Sequence, residues 1–124
     1  MKRIGYIVIL IALGHTLVGL IFYSQPLKDV LQAGIFNTIN SPNRAAAFWF
    51  FMFGAMLAVY GAITQWLLDS VGALPRFWGW SLFALCLIGA IFVPMSGFWL
   101  GLLAAIAMIR WSAKDVSQTA ILAR

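Results

Sequence analysis

Apolar runs separated by short polar breaks organise this sequence. The first run covers residues 4–23, and His15 and Thr16 are its polar members. About 20 apolar residues are what a helix needs to cross a bilayer. The next stretch, S-Q-P-L-K-D-V-L-Q-A-G-I-F, has a different period. Leu27, Val30, Leu31 and Ile35 share one helical face, and Lys28, Asp29 and Gln32 share the other. This predicts an amphipathic helix over about 26–35, too short to span and suited to lie on a membrane surface. N-T-I-N-S-P-N-R then breaks the chain, with Ser41 as N-cap and Pro42 as first helical residue of a second span over about 43–68. Gly72 and Pro75 stop that span. A third is expected at about 76–93, closed by Pro94. A fourth, capped by Ser96, is expected at about 96–111. Residues 112–124 read as a polar tail on the cytoplasmic side.

Composition makes lipid the expected solvent. The chain is 64% hydrophobic and 9% charged, against roughly 25% charged in soluble domains. The expected fold class is therefore all-α: one integral membrane domain over 1–124, a four-helix bundle with a short surface helix. Met1-Lys2-Arg3 before an apolar run imitates a signal peptide. The run outlasts the roughly 7–15 residues of a signal core and lacks an A-x-A site, so it reads as a retained span.

Charge then sets orientation. The net charge is +5, but the basic residues sit at the ends of apolar runs and form no patch suited to nucleic acid. Four spans put both termini on one side. With the N-terminus inside, Lys2, Arg3, Arg76, Arg110, Lys114 and Arg124 are cytoplasmic, and only Lys28 and Arg44 are outside. This obeys the positive-inside rule. Trp66, Trp78, Trp80 and Trp111 then fall at the inner interface, and Trp49 and Trp99 at the outer one. Cys86 is the single cysteine, so no intrachain disulfide forms. Small residues recur at Gly54, Ala58, Gly61 and Ala62, and at Gly97, Gly101 and Ala105. Such spacing lets helices approach closely, within one bundle or across a dimer.

The candidate chemistry centres on His15. An ionisable group at membrane depth faces a bundle interior and marks a site. Its ring has a donor and an acceptor to satisfy. Asp29, Asp69 and Asp115 all lie outside the spans, so no carboxylate is placed to orient it. The indole N–H of Trp49 or Trp99, the Ser96 hydroxyl or a water are the expected partners, and Thr16 is expected to point to another face. Met52 and Met56 form M-x-x-x-M, which with His15 makes Cu(I) one reading; methionine is also ordinary core filler. Haem through His15 would need a second chain for a bis-histidine site. No cofactor is expected, with quinone, haem and Cu(I) as the alternatives. There is no G-x-x-x-x-G-K-[ST], H-E-x-x-H or C-x-x-C. Arg44 reads as an interfacial arginine or as an anion contact near Asn43 and Asp29.

G-H-x-x-x-G (14–19), N-R-x-x-x-F-W-F (43–50), L-P-x-x-W-G-W (74–80) and P-x-S-G-F-W-L (94–100) together resemble a group of small bacterial four-helix membrane proteins of unknown function. That resemblance implies a bacterial inner-membrane setting and no established activity. The layout is also similar to DoxX-like proteins, which implies a link to quinones or membrane oxidoreductase complexes.

The leading expectation is a non-enzymatic protein with an outward-facing apolar cavity lined by His15, Trp49, Met52 and Trp99, with Arg44 at its mouth. It would hold a lipid, quinone or similar apolar molecule. A dimeric transporter or channel and an accessory subunit of a larger membrane complex are the alternatives.

Overall fold

The computed structural model describes the backbone of residues 3–122 and the side chains of residues 3–112. Among the described residues the chain is all-helical: α1 Ile4–Phe22, α2 Ser24–Gln32, α3 Pro42–Ser70, α4 Arg76–Phe92 and α5 Phe98–Leu122, with no strand. Two of these, α1 and α3, are long and apolar enough to cross a membrane; α4 and residues 98–112 of α5 are shorter apolar helices.

The helix starts follow the sequence. The Ser41 hydroxyl accepts from the Arg44 backbone N–H, and Pro42 opens α3. Ser96 accepts from the Phe98 N–H at the start of α5. Two ends depart from expectation. The surface helix stops at Gln32 instead of reaching 35. Gly34 adopts φ +93°, and its N–H reaches the Leu31 carbonyl while the Ile35 N–H reaches that of Val30. That pair of bonds is a Schellman cap, for which glycine at the left-handed position is the usual residue. At the other end of the chain α5 runs on through the expected tail to Leu122. Polarity signals departure from lipid, not helix termination, and 112–122 contains neither Gly nor Pro to end the helix.

Packing divides the bundle into two antiparallel pairs, α1 with α3 and α4 with α5, joined where α1 meets α5. Among the described residues α3 and α4 stand apart at the backbone and meet through side chains, with Tyr60 stacked on Trp78 at 4.5 Å. The α1–α3 pair is tight because glycines face each other. A Cβ on Gly5 would lie 2.5 Å from the Gln65 Cβ, and one on Gly61 would lie 2.9 Å from the Gly5 carbonyl. In the other pair Cys86 Sγ fills the place that a Cβ on Gly101 would take. Gly54, Gly61 and Gly101 are thus used within this bundle, whereas Gly97 faces open space. One core cluster runs through Ile4, Val8, Leu82, Cys86, Ala105 and Met108.

Candidate functional site

His15 lies in the C-terminal half of α1 against α3. Its Nε2 is 3.1 Å from the Phe50 carbonyl oxygen, and its ring stacks on Phe50 at 3.9 Å with only 10° between planes. Phe53 sits 5.5 Å away, Tyr23 is 5.2 Å from Phe50, and Phe98 is 5.6 Å from Phe53. The half-buried imidazole therefore sits in an aromatic cluster drawn from α1, α3, α5 and the α1–α2 junction.

Gly54 is the reason the imidazole can reach that carbonyl. It stands four residues after Phe50, so its N–H takes the ordinary helical bond while one carbonyl lone pair stays open. A Cβ on Gly54 would stand 2.9 Å from Thr16 Oγ1 and 3.1 Å from His15 Cδ2. Both adjacent residues of α1 thus lean on Gly54, contrary to the expectation that Thr16 faces elsewhere. The Thr16 hydroxyl is satisfied by the Ala12 carbonyl one turn back, at 3.0 Å.

This contact also sets the tautomer of the neutral ring. A carbonyl only accepts, so Nε2 carries the hydrogen. In the neutral ring Nδ1 is then an acceptor, and among the described residues no hydrogen bond reaches it.

The other expected site residues are not gathered around His15. Trp49 is 64% exposed, Met52 37% and Trp99 55%. The physical reason is the helical period: Phe50 faces α1, so Trp49 is turned about 100° away and Met52 about 200°. The Trp99 indole N–H donates to the Pro94 carbonyl at 2.8 Å and so ties its own hairpin. Arg44 folds back on the α2–α3 loop, with Nη1 donating to the Thr38 carbonyl at 2.9 Å and to Asn40 Oδ1 at 3.3 Å. Asp29 accepts from Gln25 instead. Met56 is also exposed, and no cluster of three His, Cys, Asp or Glu side chains that could hold a metal occurs among the described residues.

Phe50 and Phe53 carry no signal in the sequence, because aromatics on one span look alike until the α1-facing side is known. A polar tie at the other level is hidden for the same reason. Trp78 donates Nε1–H to Thr64 Oγ1 at 2.8 Å, Thr64 donates to the Tyr60 carbonyl at 2.7 Å, and the Tyr60 hydroxyl donates to the Trp78 carbonyl. Ser112 on α5 bonds the Leu74 carbonyl at 2.9 Å.

The class these features define is a small all-helical protein with two helices able to cross a membrane. The chain belongs to the DUF6463 family, a family of unknown function, whose model matches residues 1–115. No curated protein and no solved structure matches it.

Proposed function

We propose that this is a four-span bacterial inner-membrane protein with both termini cytoplasmic, acting without catalysis by holding an apolar molecule that carries a hydroxyl group. The membrane reading is supported by the outward side of α3. Trp49, Met52, Met56, Val59, Ile63 and Trp66 form one exposed apolar stripe with tryptophan at each end. From Trp49 to Trp66 is about 26 Å of helix at 1.5 Å per residue, close to the roughly 30 Å of a hydrocarbon core. Interfacial tryptophans belong at those two depths.

The observation that carries the ligand reading is the divided imidazole of His15. One nitrogen is spent on Phe50, which holds the ring in place, and the other is left as an acceptor within an aromatic cluster. Such a nitrogen selects a donor, so a quinol or another hydroxyl-bearing lipid suits it better than a quinone carbonyl.

Native mass spectrometry of the protein released from bacterial membranes in a mild detergent tests this, beside His15→Ala and Trp49→Ala. The expected result is a reproducible bound mass in the wild type and in Trp49→Ala, absent from His15→Ala. A bare protein in all three, with His15→Ala merely less stable, would make His15 a tie between helices and favour the accessory-subunit reading.

A further inference from the structure

At the opposite end of the α1–α3 pair from His15, an open cleft of about 560 Å³ is lined by Arg3, Tyr6, Gln65 and Asp69. This is within the roughly 300–1,000 Å³ of small-molecule sites. Its walls meet because Gly5 lets α1 touch α3 at Gln65. Arg3 and Asp69 face the cleft from different helices, and among the described residues they form no ion pair with each other. The Gln65 side-chain amide donates to Asp69 Oδ1 at 2.9 Å and so orients the carboxylate.

The charges are placed against the helix dipoles. Arg3 is the N-cap of α1, the end where backbone N–H groups already make the potential positive, and no acidic residue stands in that first turn. Asp69 is in the last turn of α3, where free carbonyls make it negative, and no basic residue stands there. Each charge therefore adds to its helix end instead of offsetting it. A bound anion beside Arg3 and a bound cation beside Asp69 would relieve both. Because the helices are antiparallel neighbours, one zwitterion reaches both ends.

We infer that this cleft seats a phosphoethanolamine group, with its phosphate on Arg3, the first-turn N–H groups of α1 and the Tyr6 hydroxyl, and its ammonium on Asp69. The lipid form, phosphatidylethanolamine, fits the surroundings: Ile7 and Leu10 next to the cleft and Trp66 beside Asp69 are exposed apolar residues for acyl chains to lie against. The ammonium brings three N–H donors to the carboxylate, which a choline head lacks and a glycerol head cannot match in charge. This inference rests on the membrane part of the proposed function and is independent of His15.

The test is native mass spectrometry of the whole protein with equal amounts of phosphatidylethanolamine, phosphatidylglycerol and phosphatidylcholine, and separately with soluble phosphoethanolamine. Arg3→Gln and Asp69→Asn are compared with the wild type. Both positions are exposed, and the amide oxygen introduced by Asp69→Asn can still accept from Gln65. The variants should therefore keep the fold, which circular dichroism checks. The wild type is expected to prefer phosphatidylethanolamine by about tenfold. Asp69→Asn should lose that preference and gain phosphatidylglycerol, while Arg3→Gln should weaken both phospholipids. Binding of soluble phosphoethanolamine with the same dependence on the two residues would assign the site to the free head. Equal binding of all three lipids, unchanged by either substitution, with no binding of phosphoethanolamine, overturns the site. Carbonate extraction of the host membranes runs in parallel. A protein found in the soluble fraction overturns the membrane reading, whereas a pelleted protein without lipid preference overturns only the cleft.

Discussion

His15 Nε2 and the Phe50 carbonyl oxygen meet 3.1 Å apart across two helices, joining residues 35 positions apart in sequence. In the proposed membrane setting such a bond contributes about 0.6–2 kcal/mol, and the ring stack at 3.9 Å adds to it. His15→Ala should therefore lower the unfolding free energy by about 1–3 kcal/mol. His15→Phe should recover the stacking share and not the bond. Unfolding titrations in a fixed detergent measure both.

Gly54→Ala should be among the more damaging single-methyl additions. Its Cβ would enter at 2.9 Å from Thr16 Oγ1 and 3.1 Å from His15 Cδ2, so α1 must move or His15 must leave Phe50. The expected cost is about 1–3 kcal/mol. Gly14→Ala is the control, since nothing lies within 4 Å of its added carbon. It should be neutral or stabilise the helix by about 0.5–1 kcal/mol. Equal thermal shifts in the two variants would contradict this account.

Trp78 should prove a structural bridge between α3 and α4. Trp78→Phe keeps a ring against Tyr60 but removes the 2.8 Å bond to Thr64. A cost of about 1 kcal/mol is expected, and Trp78→Ala should cost about 3–5 kcal/mol. A double-mutant cycle with Thr64→Val isolates the bond, because the coupling vanishes if the indole N–H and Thr64 do not interact.

The loop after α2 holds a β-branched residue in a conformation such residues avoid: Ile35 has φ +67° and Asn37 has φ +54°. The Thr38 hydroxyl on the Ile35 carbonyl at 2.8 Å and Arg44 on the Thr38 carbonyl at 2.9 Å hold this turn. Ile35→Asn should gain about 1 kcal/mol by removing the left-handed penalty. Arg44→Ala should speed backbone hydrogen exchange across 34–41 while leaving the α1–α3 pair protected.

Helix positions are legible because apolar length, Ser41-Pro42, Gly72 and Pro75 act locally, and local rules are carried by neighbouring residues. The end of α2 is equally local, yet the sequence pattern places Gly34 within a helical face because Ile35 continues the apolar spacing. The site is less legible. His15 stands out as the lone ionisable group in an apolar run, but its partner is a backbone carbonyl, and every residue carries one. Only the close approach allowed at Gly54 selects that of Phe50. Trp49, Met52 and Trp99 share the expected depth of His15 but not its direction, since depth follows residue number and direction follows how the helices are turned against each other. Trp78 shows the converse case, a residue assigned to an interfacial belt that also reaches inward to Thr64.

The division into an α1–α3 pair and an α4–α5 pair has a consequence for how the chain comes to be assembled. The segment 71–75 separates the pairs, and Gly72 within it, at φ +76°, follows the Val71 C-cap of α3. During synthesis α1 must wait for α3 to emerge before its glycine face is covered, whereas α4 and α5 form a hairpin of consecutive helices. A gene divided after Gly72 would produce two halves, 1–72 and 73–124, each keeping its tight pair. Joining them would require the α1–α5 contact, the Phe53–Phe98 ring contact and the stack and hydrogen bonds linking Tyr60 and Thr64 to Trp78, so the halves made separately in one cell should find each other and reconstitute the whole.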